Sequence, residues 1–325
     1  MIIPQGWKFD LPDSKESHGL YKSIERTARN AEEIGFDSVA LFDHFHTVPS
    51  PAHYPVFECW TTLAALAAST DQIGLSECVT CNSYRNPAYL AKITSIVDVI
   101  SDGRLELGIG AGWYEHEYDG YGYDFEKPSV RIGMLEEAVQ IIKSMWTQGS
   151  THFNGEYYKL DGALNYPKPV QEPHPPIMIG GGGEQLTLRV VAKHADIWNG
   201  GWDLDTYEHK LEVLQGHCEA VDRDYEDITK SYISDLFVAP TREKAVKLLK
   251  DWKDRQSALI GEPVDFDMEE YRERNAVGDP EEVLDRLTGA KELGATHFLL
   301  DMPNAADREL MELLYDEVVE PLRSA

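Results

Sequence analysis

Short apolar runs alternate along this chain with longer segments in which apolar residues recur at helical spacing. Runs such as 38–42 and 105–109 predict strands, and their continuous apolar character indicates a parallel sheet that is buried on both faces. Strands are predicted at residues 2–9, 38–42, 73–79, 105–109, 177–180, 196–199, 231–238 and 296–300. Helices are predicted at residues 20–34, 57–69, 87–100, 129–147, 184–194, 205–222, 241–257, 280–293 and 306–323. This order of strand followed by helix is typical of an α/β protein.

The same order predicts one (β/α)8 barrel, a TIM barrel, that occupies residues 1–325 as a single domain. Insertions are expected at about residues 110–127, 150–170 and 259–277. The first is predicted to be a loop, the second a hairpin and the third an irregular acidic segment. Neither a Ser/Gly linker nor a repeat of about 20–50 residues divides the chain. Because barrels of this kind bind ligands at the carboxyl ends of their strands, we expect the site there.

The charge of the chain narrows the range of partners. It has 57 acidic and 30 basic residues, for a formal net charge of -27, and the acidic residues are spread along its length. Nucleic acid and anionic membranes attract positive surfaces, so we expect neither as a partner. An acidic coat keeps a protein soluble when salt screens its self-repulsion, and we interpret it as a sign of a halophilic source.

Cysteine usage and the N-terminus predict a cytoplasmic protein. The four cysteines are too few for a disulfide scaffold. Cys78 and Cys81 lie three apart in a strand-like run and would point to opposite faces, which argues against metal or redox pairing. The first residues lack a signal-peptide pattern, and no apolar run approaches the ~20 residues of a membrane span.

The most informative segment is the glycine run at Gly180, Gly181, Gly182 and Gly183, between a predicted strand and a predicted helix. Ordering four glycines is entropically costly. At such a junction, backbone N–H groups and a helix N-terminus can converge on an anion. The run therefore predicts a site for a phosphorylated ligand, and the alternative is a tight turn without a ligand.

A second candidate lies after the second predicted strand, at Asp43 and His44. Histidine can give or take a proton near neutral pH, so His44 is the candidate acid/base and Asp43 a group that orients it or contacts a cofactor. The alternative is that Asp43 caps the turn and His44 packs. His44 and His46 also suggest a metal-dependent hydrolase, but that chemistry requires further ligands on later strands, and we expect no metal.

Four motifs, in order, resemble the bacterial-luciferase-like flavin and deazaflavin oxidoreductases over nearly the whole chain. The resemblance is strongest to the branch that uses the deazaflavin coenzyme F420. The motifs are Phe36-Asp37-Ser38-Val39 with Asp43-His44-Phe45, Tyr84-Arg85-Asn86-Pro87, Ser101 to Trp113, and Gly180–Gly183 through Asn199.

This resemblance implies roles for individual residues. The cofactor phosphate would lie on Gly181–Gly183, and a non-proline cis peptide at Cys78–Val79 would pack behind the cofactor ring. The loop Gly110, Ala111 and Gly112 would accommodate the cofactor's tail. His44 would act as acid/base, with Asp43 beside the ring. Hydride transfer itself would belong to the cofactor.

The substrate is not named by the sequence. Trp7, Phe9, Glu77, Trp113 and Trp198 are the candidate pocket residues. Glu77 either lines the barrel as a buried carboxylate or faces the helices and pairs with a cation.

Two positions depart from the sugar-phosphate dehydrogenases of the family. Val48 stands where those enzymes have tryptophan, and Trp113 stands where they have glutamate. The departures argue against glucose-6-phosphate as the substrate.

Alternative functions remain open at this point. One is an FMN-dependent monooxygenase that uses reduced flavin and O2, and another is a non-catalytic flavin- or deazaflavin-binding protein. The resemblance also implies a homodimer that acts on a small molecule, and a separate F420 or flavin reductase could supply reduced cofactor.

Overall fold

The computed structural model describes residues 1–14, 16–201 and 203–324. The strands are β1 Ser38–Leu41, β2 Gly74–Glu77, β3 Thr80–Cys81, β4 Leu105–Gly110, β5 Thr151–Asn154, β6 Lys159–Ala163, β7 Ile177–Gly180, β8 Ile197–Gly200, β9 Thr229–Val238, β10 Ala276–Gly278 and β11 His297–Asp301. The helices are α1 Ser17–Ile34, α2 Cys59–Ser69, α3 Pro87–Ser101, α4 Glu115–Tyr121, α5 Pro128–Thr147, α6 Thr187–His194, α7 Leu204–Ala220, α8 Arg242–Ile260, α9 Met268–Arg274, α10 Pro280–Glu292, α11 Arg308–Leu314 and α12 Glu320–Ser324. A π-helical turn at Tyr315–Val319 joins the last two.

The chain forms two compact units. The first unit consists of residues 1–58, 200–209 and those from 230 onward, and the second consists of residues 59–199 and 210–229. Each unit has its own parallel strands with helices packed against them. That the whole chain is one domain stays a prediction.

In the first unit, β9 pairs in parallel with β10 on one side and with β11 on the other. Ile2 makes parallel bridges to Ala40 of β1 and to Asp301 of β11, so it connects these two strands. The register places Asp301 directly opposite Asp235 of β9. Both carboxylates therefore lie at the same edge of this sheet.

The prediction of a strand over residues 2–9 is wrong, because only Ile2 makes a strand bridge. Pro4 has no N–H to donate to a neighbouring strand. The side chain of Gln5 replaces the ladder by donating to the carbonyls of Phe42 and Phe57 at 2.7 and 2.6 Å. Left-handed φ angles at Gly6 and Phe9 then turn the chain.

In the second unit, the parallel order is β2, β4, β7, β8, and β3 also pairs with β4. The predicted strand 73–79 contains β2 but ends as a strand at Glu77, and β3 begins only at Thr80. The Cys78–Val79 peptide between them is cis, as the resemblance implies. The predicted hairpin at 150–170 is confirmed, with β5 antiparallel to β6.

The other two insertions contain more regular structure than the sequence suggested. Helix α4 lies within 110–127, where a loop was predicted. Its Tyr118 side chain is buried and anchors the helix, and Gly122, with φ +75°, ends it. The acidic insertion at 259–277 was predicted to be irregular and contains α9 and β10. The Asp267 carboxylate caps α9 by accepting two backbone N–H groups.

Arg104, which precedes β4, holds the end of α2 in place. Its guanidinium donates to carbonyl groups of Ala67, Thr70 and Ile73 at 2.7–2.9 Å, and also to Ser101. We expect Arg104→Met to lower the free energy of unfolding by about 3 kcal/mol or more, because several buried acceptors lose their donor. Urea denaturation measures this loss. The matched change Arg29→Met removes an exposed arginine of α1 and should have little effect.

Candidate functional site

The glycine run follows β7 in the second unit and is held by β8. Gly181 has φ +122°, its N–H donates to the carbonyl of Asn199 at 3.1 Å, and its own carbonyl accepts the indole N–H of Trp198 at 2.9 Å. Within the described residues, the N–H groups of Gly182 and Gly183 donate to no protein acceptor. Helix α6 begins at Thr187, three residues after the predicted start. The loop thus offers backbone donors that an anion could bind.

Val79 brings three predicted cofactor segments together. A Cβ atom added to Gly110 would lie 2.8 Å from its Cγ2, and one added to Gly180 would lie 3.0 Å from both of its methyl groups. The ends of β4 and β7 and the cis peptide at Cys78–Val79 therefore meet without space for larger side chains. The Cys78 thiol lies 3.7 Å from the Asn199 amide oxygen.

The loop after β4 rests on side chains that the sequence did not single out. Gly112 has φ +78°, and a Cβ atom there would lie 2.0 Å from the Tyr118 hydroxyl and 2.6 Å from the Cys81 sulfur. The Tyr118 hydroxyl also donates to the Ala111 carbonyl at 3.4 Å. Only glycine fits at position 112, and Tyr118 and Cys81 set the path of residues 110–112.

The aromatic and acidic pocket candidates of the second unit have different environments. Trp198 and Glu77 are fully buried. Glu77 Oε2 accepts the N–H of Gly108 at 3.1 Å, so this carboxylate lies within the sheet. Trp113 is 58% exposed and its ring stacks on that of Tyr114, with 5.1 Å between centroids. A substrate could therefore contact the side chain of Trp113, whereas the side chains of Glu77 and Trp198 have no accessible surface.

Trp198 supports the glycine loop through its N–H, which leads to a prediction. We expect Trp198→Phe to weaken F420 binding by about three- to tenfold, because the ring is kept while the Gly181 carbonyl loses a donor. Titration of the cofactor measures this. Trp146→Phe is the control, because it also removes a buried indole N–H, which bonds to Ala91 and Thr94 of α3. Equal loss of affinity in both variants would contradict a specific role for Trp198.

In the first unit, His44 stacks on Trp7. The ring centroids are 4.1 Å apart and the planes differ by 8°. Trp7 also packs against Phe42 at 4.3 Å. Asp43 is buried, whereas His44 is half-buried. The stack fixes the plane of the imidazole while leaving part of it accessible, which suits a group that exchanges protons.

Phe9 has a different neighbourhood from Trp7. It is fully buried and borders a largely apolar cavity of about 350 Å³, together with Trp252 and Arg255 of α8 and the segment 303–307. The Arg255 guanidinium donates to the Phe9 carbonyl at 3.0 Å. The structure therefore groups Trp7 with His44, and Phe9 with α8.

A polar cluster at the end of β11 and on the neighbouring part of β9 was missed by sequence reasoning, apart from the position of Asp301 at a strand end. The Lys8 ammonium donates to Asp235 Oδ1 at 2.6 Å and to Asp301 Oδ2, and the Tyr271 hydroxyl donates to Asp235 Oδ2. We refer to Lys8, Asp235, Tyr271 and Asp301 as the Lys8 cluster. No local pattern marks Lys8, because 293 residues separate it from Asp301.

Burial and charge shift the ionisation of this cluster. Burial raises the pKa of Asp301 to about 7; the neighbouring Asp235 also raises it, whereas Lys8 opposes the shift. For Asp235, burial is outweighed by the charge and hydrogen bond of Lys8, which lower its pKa. The same ion pairs overcome burial at Lys8 and raise its pKa, so its ammonium stays charged.

The described residues contain neither a metal-ligand cluster nor a membrane-spanning helix. In the part of the chain that the structure describes, no group of three or more His, Cys, Asp or Glu side chains is arranged to hold a metal ion. Among those residues, no helix has the length and apolar character needed to cross a bilayer.

Comparison with known families gives a match over most of the chain. The model for luciferase-like monooxygenases matches residues 9–297. The chain belongs to the luciferase-like monooxygenase family. The match includes the motifs at 36–45, 84–87 and 101–113 as well as the glycine loop, so the predicted family membership is confirmed.

Individual relatives of this family member cover nearly its whole length. It is 26% identical to an F420-dependent glucose-6-phosphate dehydrogenase of Amycolatopsis mediterranei, and the alignment covers 96% of this chain and 97% of that protein. An F420-dependent secondary alcohol dehydrogenase in complex with an F420-acetone adduct superimposes with a TM-score of 0.75 at 22% identity, covering 91% of this chain and 96% of the other.

A flavin enzyme has the same fold. The oxygenating constituent of 3,6-diketocamphane monooxygenase from Pseudomonas putida, in complex with FMN, superimposes with a TM-score of 0.71 at 19% identity, covering 98% of this chain and 97% of the other. These likenesses confirm the predicted luciferase-like TIM-barrel fold and an enzyme of this family.

Proposed function

We propose that this protein is a coenzyme F420-dependent oxidoreductase that transfers a hydride between the deazaflavin and a small organic substrate. The observation that carries the proposal is the cradle in the second unit. There, Gly110 and Gly180 meet Val79 with no space for a Cβ atom, and the N–H groups of Gly182 and Gly183 are open to an anion. The F420-dependent relatives support this choice of cofactor.

Each group of residues has a proposed task. Gly181–Gly183 bind the phosphate, Gly110–Gly112 accommodate the tail, and Cys78–Val79 pack behind the ring system. The bound deazaflavin supplies the hydride chemistry. His44 takes or gives the proton, Asp43 orients it or contacts the cofactor, and the stack on Trp7 holds the imidazole plane.

We propose that Trp7 and Trp113 line the substrate pocket. Trp7 and Trp113 retain surface or lie beside His44, which agrees with pocket roles. Phe9, Glu77 and Trp198 are fully buried, so we propose that any influence they have on the substrate is through packing.

FMN is the alternative cofactor, because an FMN monooxygenase shares the fold. Titration of the apo-protein with F420 and, separately, with FMN at high KCl tests the proposal by fluorescence. Micromolar or tighter F420 binding, with FMN at least tenfold weaker, is the expected result. The reverse order would make the protein a flavin monooxygenase, and binding of cofactor without turnover on a broad substrate panel would favour a non-catalytic binding protein.

Other predictions from the sequence remain proposals: a cytoplasmic, halophilic homodimer that acts with a separate F420 or flavin reductase. For halophily, we expect the midpoint of thermal unfolding to rise as KCl is increased from 0.1 to about 2 M, because salt screens the repulsion within a chain of net charge -27. A midpoint that stays constant or falls would contradict the halophilic interpretation.

A further inference from the structure

The Lys8 cluster lies at the carboxyl end of β11, and barrel enzymes bind ligands at the carboxyl ends of their strands. Asp301 is the last residue of β11, and Asp235 is its register partner on β9. Backbone pairing already fixes these strands through five residue pairs from Ser231–His297 to Asp235–Asp301. A buried ion pair adds little net stability, so the cluster is not needed to hold the strands together.

Lys8 and Asp235 have hydrogen-bonding capacity that the cluster itself does not use. Exposed fractions of the side chains are 12% for Lys8, 4% for Asp301 and 21% for Asp235. Two of the three ammonium hydrogens of Lys8 are donated to the carboxylates. Asp235 accepts from Lys8 and Tyr271 and also shares a hydrogen bond with Asp301, which leaves one lone pair of its two oxygens unused. One donor and an adjacent acceptor therefore remain for a ligand.

A hydroxyl group fits this pair of atoms, because it accepts from the ammonium and donates to the carboxylate at once. A phosphate oxygen only accepts, and it would approach the charge of Asp235. Asp235, Asp301 and Asp10 all interact with Lys8 and offset the attraction of its charge for an anion.

The indole of Trp7 connects the cluster to His44. The Lys8 ammonium lies 5.4 Å from the centroid of the Trp7 ring, and the His44 imidazole stacks on the same ring. The buried Trp7 N–H has no hydrogen-bond partner among the described residues, and an oxygen of a bound molecule would satisfy it. A molecule bound at the Lys8 cluster would therefore lie beside the indole on which His44 stacks.

We infer that the Lys8 cluster binds a second hydroxyl group of the substrate, so that the substrate is an uncharged polyhydroxy compound. This inference rests on the proposed function. In the oxidative direction, a bound deazaflavin would accept the carbinol hydrogen with its two electrons as a hydride, and His44 would take the hydroxyl proton as the carbonyl double bond forms. The other hydroxyl stays on Lys8 and Asp235.

The test compares propan-2-ol, butane-2,3-diol, glucose and glucose 6-phosphate as substrates of the full chain with F420. We expect kcat/KM for the best polyhydroxy compound to exceed that for propan-2-ol at least tenfold, and glucose 6-phosphate to be at least tenfold poorer than glucose. Asp235→Asn should raise KM for the polyhydroxy compound at least tenfold, and the factor by which it lowers kcat/KM should be at least tenfold larger for this compound than for propan-2-ol. Lys8→Met should do the same, and Lys22→Met, an exposed lysine of α1, is the control.

A binding measurement separates the two proposals. Saturation-transfer NMR of glucose on the apo-protein, with wild type and Asp235→Asn, needs no turnover and uses a variant that keeps the size of the side chain. Glucose binding that depends on Asp235, without any F420 reduction, would support this inference and overturn the proposed function. F420-dependent oxidation of propan-2-ol with no preference for polyhydroxy compounds, or with a preference that Asp235→Asn leaves unchanged, would overturn this inference alone. Absence of both binding and turnover would overturn both.

Discussion

Replacing His44 by Gln is expected to lower the rate of hydride transfer by about 10²–10⁴-fold while cofactor affinity stays within about threefold. Glutamine keeps a polar side chain of similar length but cannot exchange a proton near neutral pH, and a positioned acid/base contributes a factor of this size. The stack on Trp7 holds the imidazole of His44 in one plane. Loss of the imidazole should therefore lower the rate of the chemical step more than the affinity for the cofactor. Single-turnover absorbance of the deazaflavin measures the rate.

The matched control is His18→Gln on the exposed surface of α1. Its turnover should equal that of the wild type. The pH profile adds a second criterion: the limb that reports the acid/base should disappear in His44→Gln and persist in His18→Gln. If His44→Gln keeps both the wild-type rate and the wild-type profile, the acid/base is another residue and the assignment of His44 is wrong.

Gly181→Ala is expected to weaken F420 binding by at least tenfold, or about 1.4 kcal/mol. At φ +122° an alanine is strained, and its Cβ atom would lie 3.3 Å from Cγ2 of Thr187. The backbone must shift to relieve this, and the shift displaces the N–H groups of Gly182 and Gly183. Titration of F420 by fluorescence quenching gives the dissociation constants.

Gly261→Ala separates strain from site geometry, because Gly261 also has a left-handed φ of +88° and nothing lies within 4 Å of its Cβ position. Both variants should lose about 1 kcal/mol of stability from backbone strain. Only Gly181→Ala should lose affinity for the cofactor. Parallel losses of affinity would mean that general destabilisation, rather than the loop, controls binding.

Together, the sites suggest a division of tasks within the chain. In the second unit, small residues and backbone groups form a cradle, which suits a large preformed cofactor. In the first unit, ionisable side chains collect at the end of β11, on the neighbouring part of β9 and beside Trp7. Substrate selection would thus depend on side chains of the first unit, whereas cofactor binding would depend on the backbone conformation of the second unit.

Much of the fold follows from local signals. The apolar runs at 105–109 and 177–180 and the capping pair Asp279 and Glu282 predict elements that the structure contains almost residue for residue. The predicted strand at 2–9 fails because Gln5 supplies through its side chain what the backbone ladder would have supplied. Apolar periodicity carries no information about such a replacement.

The sequence by itself determined the order of strands and helices, the glycine loop and, through its motifs, the family, because these depend on spacing between neighbouring residues. The tertiary structure alone decided that Val79 meets Gly110 and Gly180, and that Trp198 holds Gly181. It also decided that Lys8 lies between two aspartates 227 and 293 residues away. These contacts follow from the register of parallel strands, which joins distant segments and which local patterns of apolar and polar residues do not specify.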